Sequence, residues 1–521
     1  MTKEFLASLP MRFGPLWRFA QSVAPLERVV NRWLINKSIN VLPPRPYRLS
    51  TKGDFTSADT LADKTFNSRQ LPPADAVTPR TAPPSEDVLD LFRRDTFIPC
   101  EKSTVLFAYV AQWFTDGFLR SDRSVVGKDE RDITRNESTH EVDLAQLYGL
   151  TPEDTKALRH PDQRMLLAYQ EIGGEHYPPN LFAADGVTRA QGLERLRVIG
   201  TKHVDVDNGQ LLAMGSDVSN SQIGYAMLNT LFLREHNRVA HEIAGARGSR
   251  DWSQDRIFAA SRNVLTVLLI KVVIEEYINH IHPAHFQFRL DPRGFDKQPW
   301  MRPNWVAVEF NLLYRWHSLI PDELQVGDEL LPLPETMFRT KHFFERNGLA
   351  ALIDTASRQR AGRLGLHNTP ELLLYKAEKQ SIEAGRTVRL RGYNEYREAC
   401  AFEPAASFAD ITPDPDVCSE LERVYGSVNE VEFYTGLFAE KTRPNSVLPP
   451  LMGRLVALHA FSQLMTNPLF AKTVYNAETF SPRGMEIIDQ TKRLADVVLR
   501  NVPAGNGTPL VKLTRVGWKR V

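Results

Sequence analysis

The sequence predicts a mainly α protein built around one large helical domain, and three observations carry that prediction. Apolar residues recur at helical spacing through several long stretches, the longest at 219–243 and 257–281. A hydrophobic share of 42% over 521 residues is enough to bury a large core. Three cysteines, Cys100, Cys400 and Cys418, are too few and too scattered for a disulfide framework or a zinc site, so packing must hold the fold and a reducing compartment is indicated.

In chain order, residues 1–42 form an amphipathic segment. Between 11 and 37, Phe13, Leu16, Trp17, Phe19, Val23, Leu26, Val29, Val30, Trp33 and Leu34 alternate with Arg12, Arg18, Arg28 and Arg32, which predicts one or two short helices. Aromatic residues on one face and arginine on the other suit a helix lying in a membrane interface, and a helix docked on the core fits the same pattern. Residues 43–86 are rich in Pro, Thr, Asp and Ser, with Pro-Pro pairs at 43, 72 and 83, and read as an extended wrapping segment. Residues 87–502 are the body. Its first part, 87–120, reads as helical. The 219–243 helix carries Arg234, Glu235, His236, Asn237 and Arg238 at its centre, a charge density that predicts a satisfied internal ion-pair network. The strongly apolar 257–281 helix belongs at the bundle centre. Helices at 338–361, 370–385 and 392–401 follow, and 503–521 is a basic tail of uncertain order. His140 and His203 have no neighbour at metal-ligand spacing, so surface or hydrogen-bonding roles are expected for both.

Charge and hydropathy exclude some functions. Sixty-four Lys plus Arg balance 63 Asp plus Glu, which gives no electrostatic case for nucleic acid. No run of eighteen or more uncharged apolar residues predicts a transmembrane helix. Arg12 and Arg18 interrupt what would be the apolar region of a signal peptide, so export is not indicated.

The chemistry concentrates in 306–322. Val308, Leu312, Leu313 and Trp316 recur at helical spacing, which puts Tyr314 and His317 three apart and on one face. That pair suits one-electron chemistry, because an imidazole can ligate a haem iron and a nearby phenol can be oxidised to a radical. A core helix with an aromatic stripe and a hydrogen-bonded histidine is the plainer reading of these positions taken alone.

The stretch Glu309-Phe-Asn-Leu-Leu-Tyr-Arg-Trp-His317 resembles the proximal-haem segment of the cyclooxygenase-like branch of the animal-type haem peroxidases, which includes linoleate dioxygenases and fatty-acid alpha-dioxygenases. Further matches fall in the family's order: Val142-Asp-Leu-Ala-Gln-Leu-Tyr-Gly149, Leu231-Phe-Leu-Arg-Glu-His-Asn-Arg-Val239, Gly392-Tyr-Asn-Glu-Tyr-Arg397 and Val431-Glu-Phe-Tyr-Thr-Gly-Leu-Phe-Ala-Glu-Lys-Thr-Arg-Pro444. The resemblance implies a helical peroxidase-like domain that binds haem b non-covalently, with His317 the proximal iron ligand, Trp316 beside it, and Tyr434 touching the second ring nitrogen of the histidine. It makes Tyr314 the hydrogen-abstracting radical site. Residues 104–118 resemble the distal helix, in which a histidine follows a glutamine by four residues. Gln112 fits, but Asp116 holds the histidine's place, and it could exchange protons only if an apolar pocket of Phe107, Phe114 and Phe118 raised its pKa. Weak peroxidase turnover follows. Gly117 stands where relatives carry a calcium-binding aspartate, so no calcium is expected.

For the substrate, the resemblance implies a long-chain fatty acid entering from a membrane surface, with O2 and a peroxide activator. Lys37 takes the carboxylate-anchor position, although a lysine lacks the bidentate fork of arginine. Tyr277, Ile278, Phe310, Leu313 and Ser462 would line the channel, Leu464 and Met465 would shorten it, and Ala284 or His285 replaces the tyrosine at its mouth. The expected protein is monotopic on the cytoplasmic side of a membrane, and a homodimer is implied by the resemblance alone. The expected function is a cyclooxygenase-like fatty-acid dioxygenase. An alpha- or linoleate-type dioxygenase, a haem peroxidase of small donors, and a haem-binding membrane protein with little turnover are its rivals.

Overall fold

The computed structural model describes residues 14–42, 66–74, 82–121, 134–198, 206–282, 285–503 and 507–515. Two N-terminal helices, α1 (Gly14–Ser22) and α2 (Ala24–Ile39), form where the alternation of apolar and basic residues places them. They bury Trp17, Leu34, Ile35 and Ile39 and leave Leu16, Phe19, Val23, Leu26, Val29 and Trp33 facing solvent. Of the extended stretch, 43–65 and 75–81 lie outside the described residues. Residues 66–74 run along the body, bridging Ser68 to Ala307. Buried Glu309 clamps them by accepting from the Gln70 and Leu71 amides and the Tyr396 hydroxyl.

The expected helix over 87–120 is interrupted. Its middle is strand β1 (Pro99–Thr104), paired antiparallel with a strand at Arg360–Gly362. Thr104 then caps α3 (Val105–Thr115) by accepting from the Phe107 amide. All of α3 is buried except Gln112. Two hairpins, Gln170–Ile172 with Glu175–Tyr177 and Glu323–Val326 with Glu329–Pro332, complete the described sheet content.

α4 (Ile223–Gly245) packs on α3 and α5 (Gln254–Val272) on α4; after the short α6 (Val308–Leu313), α7 (Thr340–Arg358), which bends at Gly348 where φ is +71°, packs on α3 and α4. Gly224 lets α4 approach α3, since a Cβ there would lie 2.1 Å from the Tyr109 ring. The predicted charge network exists: Glu235, wholly buried, accepts from Arg238, Arg500 and Asn501, and Arg234 pairs with Glu175 at 2.6 Å. α5 continues through a π-helical turn, Val273–Ile278, into Asn279–Ile281. Although 254–281 is long and apolar enough to cross a membrane, 78% of its most apolar window is buried in the protein. It is a core helix, as expected.

A second π-helical turn, Leu374–Glu378, precedes α8 (Lys379–Thr387). Then come α9 (Tyr393–Ala399), α10 (Phe433–Ala439) and α11 (Pro450–Met465), which packs against α2 and α6. The tail is more ordered than its composition suggests over 507–515. The Arg515 amide bonds the Lys102 carbonyl, Thr104 Oγ1 the Lys512 carbonyl, and Thr514 Oγ1 lies 2.7 Å from His280 Nδ1. Edge pairing with β1 supplies partners that a periodicity argument does not see.

Candidate functional site

Tyr314 and His317 do not share a helical face. α6 ends at Leu313, Tyr314 caps it at φ −94°, ψ 12°, and His317 begins a separate 3₁₀ turn, His317–Leu319. The corner between them is held by two side chains. Trp316 Nε1 donates to the Leu313 carbonyl at 2.7 Å, satisfying an orphan of the helix end, and Arg315 reaches back to Asn311 Oδ1 at 2.6 Å. Trp316 also stacks on the Tyr314 ring with centroids 4.5 Å apart and on Phe107 of α3 at 6.1 Å. Aromatic packing outweighs the helical pattern here.

Tyr314 is partly buried as a residue, and its hydroxyl is sealed from solvent. Burial pushes its pKa far up, and that of Tyr277 as well. The two hydroxyls act on each other electrostatically, but neither is held in full hydrogen-bond geometry. Both phenols therefore stay protonated throughout the physiological range. Tyr277 stacks on Phe107 at 5.2 Å and contacts Phe114. Phe310 lies edge-on to Tyr314 at 5.3 Å, beside Phe118, and flat against the buried His459 ring at 4.9 Å. The rings of Phe310 and Trp316 thus give Tyr314 an aromatic, apolar surround, and Leu313 and Ile278, next to Tyr314 and Tyr277 in sequence, are buried.

His317 is anchored by a residue the sequence did not single out. Its Nδ1 lies 2.9 Å from Glu378 Oε2, while the Tyr434 hydroxyl donates to Glu378 Oε1 and Thr369 Oγ1 donates to Oε2 at 3.1 Å. Tyr434 was expected to touch the histidine directly. The structure corrects this, because a buried carboxylate stands between them and takes the contact. The only local signal was an acidic residue in an otherwise ordinary helical run 61 positions away. With Nδ1 engaged, Nε2 is the nitrogen left with a lone pair to offer, on a side chain 16% exposed.

The expected pocket around Asp116 is also corrected. Phe107, Phe114 and Phe118 pack on Tyr277 and Phe310, and Asp116 turns instead into a polar cluster. Its Oδ2 accepts from Arg120 at 3.0 Å, Ser216 at 3.0 Å and the Tyr225 hydroxyl at 2.8 Å. Arg120 is buried and also pairs with Asp217 at 2.7 Å and Glu137 at 3.4 Å. All three donors converge on Oδ2, which ties the carboxyl into this polar cluster and turns it away from the Phe107, Phe114 and Phe118 rings. Gln112, by contrast, is exposed and bonds Gln222 at the start of α4.

At the far end, Ser462 Oγ donates to the His459 carbonyl at 3.1 Å and accepts from Asn304 at 3.3 Å, so it is a bonded polar group on α11. Leu464 and Met465 are buried beside it. Lys37 ends α2 with its ammonium 5.1 Å from the Trp33 ring, and partial burial with Arg454 nearby lowers its pKa. His140 is wholly buried and accepts the Val306 amide, the hydrogen-bonding role expected of it. His285 sits against Gly14 of α1, whereas Ala284 and His203 lie outside the described residues.

A model of the animal haem peroxidase family matches residues 82–511. The chain is 31% identical to prostaglandin G/H synthase 1 of Rattus norvegicus over 476 residues, covering 89% of this chain and 75% of that protein. It is 29% identical to prostaglandin G/H synthase 2 of Bos taurus over 503 residues, covering 94% and 79%. Its fold is similar to that of fatty acid alpha-dioxygenase from Oryza sativa, with a TM-score of 0.69, 19% identity and coverage of 96% and 94%.

Proposed function

The chain belongs to the animal haem peroxidase family, and on that premise we propose that it is a haem-dependent fatty-acid dioxygenase in which Tyr314 is the hydrogen-abstracting group. Family membership makes haem iron the cofactor, and the donor set fits it, since the imidazole of His317 is fixed through Nδ1 and Nε2 would hold the iron. We take this haem as b-type and held without covalent links. When bound, it supplies the one-electron oxidant that converts a phenol to a phenoxyl radical.

The observation that carries the reading is the sealed Tyr314 hydroxyl within an aromatic, apolar surround. Because burial keeps the phenol protonated, its oxidation releases both an electron and a proton, and its radical regains both as a hydrogen atom. The Tyr314 radical takes hydrogen from an acyl C–H bond, restoring the phenol and leaving a carbon radical. Molecular oxygen adds to that carbon. The peroxyl radical then recovers a hydrogen atom from Tyr314, so one C–H and one O2 become one hydroperoxide and the tyrosyl radical is regenerated. Exclusion of water by Phe310, Trp316 and Tyr277 protects the radical from side reactions.

The exposed apolar face of α1 and α2, with Phe19 62% and Val29 64% accessible, supports monotopic binding to a membrane surface from which an acyl chain enters. Lys37, at the end of that helix pair, is the proposed carboxylate contact, and Tyr277, Ile278, Phe310, Leu313 and Ser462 the channel wall. The locked state of Asp116 supports weak peroxidase turnover and weighs against a small-donor peroxidase. The relatives named for prostaglandin synthesis favour attack within the acyl chain, and the fold shared with an alpha-dioxygenase keeps the carbon next to the carboxylate as the alternative.

The test is oxygen uptake by haem-loaded, peroxide-primed protein with saturated and unsaturated fatty acids, products being identified by mass spectrometry and Tyr314→Phe run in parallel. Uptake abolished at least 100-fold in the variant is expected. No uptake by fully loaded wild-type protein would sink the dioxygenase reading.

A further inference from the structure

We propose that Glu378 is a positioning residue that sets the electron-donating strength of His317 toward haem iron, with Tyr434 and Thr369 tempering it through the same carboxylate. The inference rests on the haem reading above. It stands on the convergence of three donors, the His317 imidazole N–H, the Tyr434 hydroxyl and the Thr369 hydroxyl, on the two oxygens of one side chain that is 1% exposed. An ionised carboxylate is acceptor-only, so it completes all three contacts, whereas an amide would bring a donor of its own against one of them. Glu378 closes the π-helical turn Leu374–Glu378, and Phe92 stacks on Tyr434 at 5.5 Å to fix the outer donor.

A carboxylate accepting from the distal nitrogen of a metal-bound imidazole makes that ring a stronger donor, which favours the oxidised metal. Tyr434 and Thr369 work the other way. Each shares some of the carboxylate's charge, and so weakens its pull on Nδ1–H. Two changes at one carboxylate should therefore move the iron in opposite directions. A residue needed only for folding would not do this.

The experiment uses full-length protein loaded with haem b and reads two quantities besides turnover: the Fe(III)/Fe(II) midpoint potential, and the iron–imidazole stretch of the reduced protein by resonance Raman. Glu378→Gln is expected to favour ferrous over ferric iron at least tenfold, a rise of about 59 mV for a one-electron couple, and to lower the stretching frequency. Tyr434→Phe and Thr369→Val are expected to shift both readouts oppositely and by less. If Glu378→Gln fails to load haem, the latter two variants decide. Unchanged readouts, or shifts of Tyr434→Phe in the direction expected for Glu378→Gln, would overturn the inference. Failure of wild-type protein to bind haem, or unaltered binding in His317→Ala, would instead overturn the family-based site and is separately visible in the absorption spectrum.

Discussion

Asp116→Asn separates two accounts of one residue. If Asp116 is the structural anion of the Arg120 cluster, its loss removes a charge that accepts from a guanidinium and two hydroxyls at 2.8 to 3.0 Å. Breaking one member of a buried ion pair costs about 3–5 kcal/mol. Arg120 keeps Asp217 and Glu137, so the cost falls at the lower end, about 3 kcal/mol. Unfolding entropy near 2.1 cal/mol/K per residue amounts to about 1 kcal/mol/K for 521 residues. The variant should then melt about 3 °C below wild type by scanning calorimetry, with the same deficit in urea titration at pH 7. Peroxide consumption by the haem-loaded variant should stay within about threefold of wild type. A variant that melts with wild type while losing tenfold or more of its peroxide turnover would refute this and return Asp116 to the role of proton shuttle.

Two further outcomes follow from burial and exposure. His236 is fully buried against Tyr148 and the Met165 carbonyl, and burial drives its pKa down to about 3. The unfolded chain binds the extra proton below about pH 6.5, so this contribution is complete above 6.5 and is lost as pH falls toward 3. Unfolding free energy should drop by about 2 kcal/mol between pH 7 and pH 5 from this residue, a component absent from the same comparison in His236→Gln. Phe19→Ser combined with Val29→Ser should weaken flotation with phospholipid vesicles roughly tenfold or more, and undiminished binding would rule out α1 and α2 as the membrane face.

Much of the frame was legible because it is local. The apolar period of 257–281 translates directly into a core helix, since neighbours three and four apart decide it, and the charge density at the centre of α4 announced a network without its distant members Glu175, Arg500 and Asn501. The same reasoning overran at Tyr314, where Trp316 stops the helix by capping Leu313 and stacking on tertiary partners. It also missed two residues whose meaning is a distant contact. Glu378 reads as an ordinary helical acid until the fold delivers it to His317, and Asp116 reads as a displaced catalytic group until Arg120, Ser216 and Tyr225 surround it. Strand β1 escaped notice because its partners lie at Arg360–Gly362 and in the tail.

The two π-helical turns have a common consequence. One holds Tyr277 and the other ends on Glu378, so each residue meets its partner through a helix one residue wider than the regular α-repeat. In a regular helix each residue advances the face by about 100°. Loss of a single residue from either turn would swing Tyr277 away from Tyr314, or Glu378 away from His317, while every side chain kept its identity. At these two places the contacts are written in chain length as much as in residue type, and an insertion or deletion there would break them with no substitution to mark it.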